Sequence, residues 1–124
     1  MVGLVLVAHS AGLAVEAAAV VRGIAGPDTP VAAAGGTNDG GLGTSLDLIE
    51  SALRAVDQGD GVVIIPDLGS SVLTARLVEE AGRVVVADVP FVEGAIAAAV
   101  TAGGGAPLTE VLAAAEEART FRKL

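Results

Sequence analysis

Four short runs rich in Val, Ile and small residues, set between stretches of helical character, limit what this chain can fold into. They read VGLVLVA (2–8), PVAAAG (30–35), GVVIIPD (61–67) and VVVAD (84–88). Continuous apolar runs of this kind are what strands buried on both faces require, as in a parallel sheet clad by helices. Helices are predicted between and after them at 11–23, 44–57, 70–82, 93–103 and 108–121. The second has the clearest start, with Thr44 as N-cap and Asp47 placing a carboxylate in the first turn. Four β–α repeats in succession specify an α/β fold, a doubly wound parallel sheet with helices on both faces. No linker, second domain or repeat is visible, so one domain over residues 1–124 is expected. Right-handed crossovers and a single reversal of winding favour the strand order 2-1-3-4. Strands 1 and 3 are then neighbours at the switch point, where such sheets bind ligands beyond the carboxyl ends of their strands.

The residues delivered to that place carry the chemistry. Strand 1 runs into VLVAHSAGLA (5–14), which holds His9, the single histidine of the chain, and strand 3 ends in Asp67. A lone histidine at a strand end is often inert and merely hydrogen-bonded. Three features favour a working one. Asp67 can accept from Nδ1–H of His9, which fixes the tautomer and leaves Nε2 with a free lone pair. The segment DLGSS (67–71) opens a helix whose amides and hydroxyls suit an anion. The loop GGTNDGGLGTS (35–45) has five glycines in eleven residues, which permits close backbone approach and offers another anion nest. Separately, these segments read as a helix cap and a flexible connection. Together at one sheet edge they describe a nucleophilic imidazole among anion donors, a phosphoryl-accepting site. The catalytic candidates are His9 and Asp67. The phosphoryl-binding candidates are Ser10, then Gly36, Thr37, Gly43 and Thr44 in the loop, and Gly69, Ser70 and Ser71 at the helix start. No metal ligand set is expected.

Other chemistries fail on specific residues. AHSAG (8–12) approaches the G-x-S-x-G nucleophile elbow, but a serine hydrolase needs a later histidine as base, and there is none. A receiver domain would need acidic residues after strand 1 and a lysine after a fifth strand; here strand 1 ends in AHS and the only lysine is Lys123. HSAGLA lacks the G-x-G-x-x-G of dinucleotide binding. A small regulatory or ligand-binding domain of flavodoxin-like build survives as an alternative, though it leaves the meeting of imidazole and carboxylate unexplained. Fifteen acidic against seven basic residues give a net charge of −8, so nucleic acid and anionic membranes are excluded as partners. Cysteine is absent, which suits a reducing compartment. The apolar start lacks a charged n-region, since the first Arg is Arg22, so neither a signal peptide nor a membrane span is expected. A cytoplasmic protein follows. Helix 93–103, EGAIAAAVTAG, shows no polar face after Glu93, and a helix apolar all round is normally covered. A homodimer is expected to cover it; the alternative is that the C-terminal helix folds back over it.

The motifs VLVAHSAGLA, GGTNDGGLGTS, GVVIIPDLGSS and VPFVEGAIAAAV (89–100) occur in an order that spans nearly the whole chain. The chain resembles the mannose-type IIA domains of the phosphoenolpyruvate-dependent phosphotransferase system, and within them the branch that serves dihydroxyacetone kinase. The sugar-transport IIA domains usually carry a G-[ST]-P-x-N type run after their strand-3 aspartate, where this chain reads DLGSSVLTA. The resemblance implies that His9 is phosphorylated by the phosphocarrier protein HPr, with Asp67 as the aspartate beside it. It implies delivery to ADP on a nucleotide-binding subunit of the kinase, whose ATP then phosphorylates dihydroxyacetone. Nucleotide and Mg²⁺ belong to that partner, so no bound cofactor is expected in this chain. Fused HPr-like and enzyme I-like domains occur in some members; with Leu124 as the last residue, separate proteins are expected to supply the donor. A sugar-transport IIA domain or a regulatory phosphoacceptor module is the competing reading.

Overall fold

The computed structural model describes residues 1–124, and its elements alternate as the apolar runs require. They are β1 (Gly3–Ala8), α1 (Ala11–Ala25), β2 (Val31–Gly35), α2 (Leu46–Val56), β3 (Val62–Pro66), α3 (Gly69–Ala75), β4 (Val84–Val86), α4 (Phe91–Gly103) and α5 (Leu108–Glu117). The four strands form one parallel sheet in the order β2-β1-β3-β4. β1 is central, with Leu6 opposite Ala33 on one side and Ile65 on the other. The doubly wound architecture and its 2-1-3-4 order are therefore present.

Alternation along the strands divides the core in two. Leu4, Leu6, Val63 and Ile65 point to the face covered by α1, α4 and α5, where they pack with Ala18, Val21, Ala98 and Val111. Val5, Val7, Val62, Ile64 and Val84 point the other way, onto Ile49, Ala52 and Val56 of α2 and Ala75 of α3. Both faces of the sheet are thus dry, and this is why its strands read as unbroken apolar runs. Small residues set the spacing between layers. A Cβ on Gly35 would lie 2.3 Å from the Ser10 carbonyl oxygen, so β2 can approach the start of α1 only with glycine there.

Several boundaries differ from the sequence reading. α2 begins at Leu46 with Ser45 as its N-cap, the Ser45 hydroxyl accepting from Leu48 N–H at 3.2 Å. Thr44 is not the cap, because its hydroxyl bonds Thr74 of α3 at 2.8 Å instead. The third helix is much shorter than 70–82. It tightens into a 3₁₀ turn at Arg76–Val78, after which Glu80 and Val84 pair their backbones and turn the chain back into β4. α4 is covered within the chain: its Ala95, Ala98, Ala99 and Ala102 are fully buried in one cluster with Val111 and Ala115 of α5. The helix with no polar face is met by the C-terminal helix, so its burial does not itself demand a second copy.

Candidate active site

Parallel pairing of β1 with β3 is what brings the site together. Val7 lies opposite Pro66, so the residues that follow each strand emerge side by side at the carboxyl edge. The pairing continues one step further as Asp67 N–H donates to the Val7 carbonyl at 2.9 Å. His9 N–H then donates to Asp67 Oδ2 at 3.0 Å, and the His9 ring places Nδ1 3.2 Å from Asp67 Oδ1. Leu68 N–H and the Ser71 hydroxyl also donate to Oδ1, at 2.8 and 2.7 Å. The carboxylate is 6% exposed and the imidazole 27%, so one is held inside and the other reaches the surface.

Burial pushes the Asp67 carboxyl up, as it does any acid. Hydrogen bonds from Ser71, the His9 backbone, the His9 ring and Leu68 together outweigh it and leave the group below its ordinary value. Asp67 is therefore an anion at neutral pH and can only accept. Facing it, Nδ1 of His9 carries the proton, and Nε2 keeps its lone pair. The Ser70 hydroxyl sits 2.7 Å from Nε2. The Nε2 side of the ring thus faces outward, with a buried negative charge against Nδ1, an arrangement that can stabilise imidazolium character.

The remaining candidates have different fates. Ser10 caps α1, its hydroxyl accepting from Leu13 N–H at 3.0 Å, with the ring next to it in sequence. Gly69 opens α3, ahead of the two serines that reach the ring. Ser71 is fully buried and lies 3.0 Å from Nδ1, on the side of the ring away from Nε2. The glycine-rich loop does reach the site, but with the amides of its glycines at 36 and 43 already paired. Gly36 N–H donates to the Ala8 carbonyl at 3.0 Å and Gly43 N–H to the His9 carbonyl at 2.8 Å. Thr37 N–H donates to the Gly41 carbonyl at 3.0 Å while its hydroxyl bonds Asp39, and Thr44 is tied to Thr74. The amides of Gly36, Thr37 and Gly43, expected as phosphoryl donors, are thus paired with main-chain carbonyls, and through Gly43 the loop is fastened to the His9 backbone.

A set of exposed leucines carries no motif that would mark it in the sequence. Leu13 of α1, Leu42 at the loop tip, and Leu68 and Leu73 of the α3 turn are 46%, 81%, 57% and 73% exposed. They come from the three segments that meet at His9. A large apolar side chain set among loop glycines, as Leu42 is, was the available signal.

The parallel 2-1-3-4 sheet thus carries an Asp-backed imidazole at its switch point. The family model described as the PTS system fructose IIA component matches residues 3–112, and the chain belongs to that mannose-type IIA family. Among curated relatives, the PEP-dependent dihydroxyacetone kinase 1 phosphoryl donor subunit DhaM of Listeria innocua is 35% identical over 99 residues, 78% of each chain. The DhaM phosphoryl donor subunit of Escherichia coli is 32% identical over 121 residues, which are 90% of this chain and 26% of that protein. A crystal structure described as that of the unknown function protein EF1359 superposes with a TM-score of 0.84 at 30% identity, covering 99% of this chain and 98% of that one. No helix is long and apolar enough to cross a membrane.

Proposed function

We propose that this chain is a phosphoryl carrier of a phosphoenolpyruvate-dependent dihydroxyacetone kinase, with His9 as the residue that bears the phosphoryl group. Nε2 attacks the phosphorus of the phosphorylated donor, the bond from phosphorus to the donor breaks, and its electron pair leaves with the donor. The Nδ1 proton stays in place, facing Asp67. In the second step a β-phosphate oxygen of ADP attacks, and the N–P bond breaks with its pair returning to Nε2. The donor is HPr, and the ADP is held by the kinase's nucleotide-binding subunit, whose ATP serves dihydroxyacetone. The observation that carries this reading is the pair of contacts on one ring, Nδ1 against Asp67 and Nε2 turned outward. The names of the relatives supply the acceptor system. Phosphoryl transfer needs positioning and charge stabilisation above all, which Ser70, 2.7 Å from Nε2, with Gly69 next to it in sequence and Ser10 next to His9, would supply. The exposed leucines on the segments that meet at His9 suit macromolecular partners that close over an exposed nucleophile and exclude water. Such a relay runs in the cytoplasm.

The test is incubation with phosphoenolpyruvate, enzyme I and HPr, followed by mass spectrometry. The wild type is expected to gain one acid-labile phosphate and to lose it on addition of ADP with the kinase subunits; His9→Ala is expected to gain none. Acid-labile labelling of the alanine variant would remove His9 from the reaction. Retention of the label with ADP and the kinase subunits present would move the chain to the sugar-transport or regulatory reading. The carrier is further proposed to be a homodimer, supported by the exposed apolar side of α1, with Leu13, Val20 and Ile24, and by Val100 on the neighbouring α4. Light scattering at micromolar concentration should return twice the 12.0 kDa chain mass; a mass near that of one chain would overturn it.

A further inference from the structure

We infer that Ser71 is the positioning residue that locks the His9 tautomer, while its neighbour Ser70 guards the reactive nitrogen. The inference rests on the carrier reading for its consequence but not for its geometry. Consecutive residues of a helix point about 100° apart, and the first turn of α3 uses this to put one hydroxyl on each ring nitrogen. Ser71 is fully buried, with Oγ 2.7 Å from Asp67 Oδ1 and 3.0 Å from His9 Nδ1. Ser70 lies on the outer side, with Oγ 2.7 Å from Nε2.

Counting hydrogens leaves one arrangement. A serine has a single O–H, and the Asp67 carboxylate can only accept, so Ser71 spends its hydrogen on Oδ1. Towards His9 the same oxygen can then only accept, so it joins Asp67 in holding the ring proton on Nδ1. Asp67 alone pulls on that proton from 3.2 Å, longer than the Ser71 contact. Ser71 therefore shortens the link, as an N–H···O–H···O⁻ relay beside the direct contact. Its burial leaves it no route to a phosphoryl group. Ser70 has the complementary task. With Nε2 unprotonated, the Ser70 hydroxyl donates to the lone pair and must turn away before Nε2 can attack. Once turned, the same O–H is free to donate to a phosphoryl oxygen. The two serines thus differ in role although they are adjacent and alike.

Because the chain has one histidine, ¹⁵N NMR of the histidine-labelled full chain reads the tautomer without assignment. In alkaline solution the wild type is expected to show the Nδ1–H form alone. Ser71→Ala should mix the two tautomers and slow labelling by phospho-HPr about tenfold, the tautomer signal separating lost positioning from a general loss of fold. Ser71→Cys keeps the side-chain connectivity, slightly enlarged and with a weaker donor; it should fall between the two, and it serves if the alanine variant does not fold. Ser70→Ala should keep the wild-type tautomer and alter only the labelling rate. A pure Nδ1–H form in both Ser71 variants, or equal mixing in the Ser70 variant, would overturn the assignment. Failure of the wild type to be labelled at all would defeat the carrier reading while leaving the tautomer result to decide this one.

Discussion

Two segments of similar composition flank His9, and they do opposite things. The loop at 35–45 and the turn at 67–71 are both rich in Gly, Ser and Thr, and both lead into a helix at the carboxyl edge of the sheet. In the loop, Gly36 and Gly43 donate to the Ala8 and His9 carbonyls, so its backbone is fastened to the end of β1. In the turn, Asp67, Ser70 and Ser71 turn their side chains onto the imidazole. The loop holds backbone alone, whereas the turn sets the ring and also takes the His9 N–H on Asp67 Oδ2. A glycine-rich sequence therefore says that backbone comes close to something, and only the hydrogen-bond partners say whether that something is ligand or chain.

The sharpest way to break this comparison is to damage the loop. Gly36 has φ +74, and a Cβ there would lie 2.8 Å from the Gly41 carbonyl oxygen. Gly36→Ala combines a disfavoured left-handed backbone with a clash against main chain, so a stability loss of about 3 kcal/mol is expected. Thermal melting measures it. Phosphoryl labelling of the folded fraction should proceed at the wild-type rate. If labelling collapses while the melting temperature holds, the loop belongs to the reaction and the division is wrong.

Asp67→Asn should show the reverse balance. All four groups around the carboxylate, the His9 N–H, Nδ1–H, Leu68 N–H and Ser71 O–H, are donors. An amide in either orientation turns its NH₂ towards one of them, costing about 2 kcal/mol. Removing the charge opposite a developing imidazolium should slow transfer about 100-fold. The pH dependence has a definite sign. Folding holds the Asp67 carboxyl below its ordinary value, so the native state binds fewer protons than the unfolded chain in acid. Its contribution is full above the unfolded value of about 4 and is lost as pH falls through the native one. Melting curves between pH 6 and about 3 should thus show a smaller acid-induced drop in Asp67→Asn than in wild type. Parallel curves would mean the carboxylate's hydrogen bonds do not favour its charged form.

What the sequence made legible follows the range of the interactions. The strands were readable because burial on both faces is written into each run, as VLVA and VVII show. His9 and Asp67 could be paired because a right-handed 2-1-3-4 winding leaves β1 and β3 adjacent. Non-local partners were out of reach. The Thr44 and Ser45 hydroxyls are equally good caps in sequence, and Thr74, thirty residues away, decides between them. α3 stops at Ala75 because Glu80 and Val84 pair backbones, although the apolar pattern continues through Leu77 and Val78. Ser70 and Ser71 were both visible as donors, but which nitrogen each meets depends on the rotation of a seven-residue helix.

The smallest effect tests the seam between the two segments. The Thr44–Thr74 hydroxyl pair, 2.8 Å apart and part-buried, is a direct tie from the loop to α3. Val replaces Thr with nearly the same shape and no hydroxyl, so Thr44→Val leaves Thr74 without this partner and should cost about 1 kcal/mol. Thr74→Val should cost a similar amount. The double variant should cost little more than either single one, a coupling of about 0.5–1 kcal/mol between contacting residues. Denaturant melts of the four proteins give that number, and strict additivity would mean that the tie contributes nothing. Transfer kinetics carry the second half of the test. If the turn alone sets the ring, all four proteins should be labelled at one rate, because cutting the tie leaves Ser70, Ser71 and Asp67 in their places. A rate that falls with the tie would mean that the loop steers the serines through α3, and that holding the backbone and setting the ring are one function rather than two.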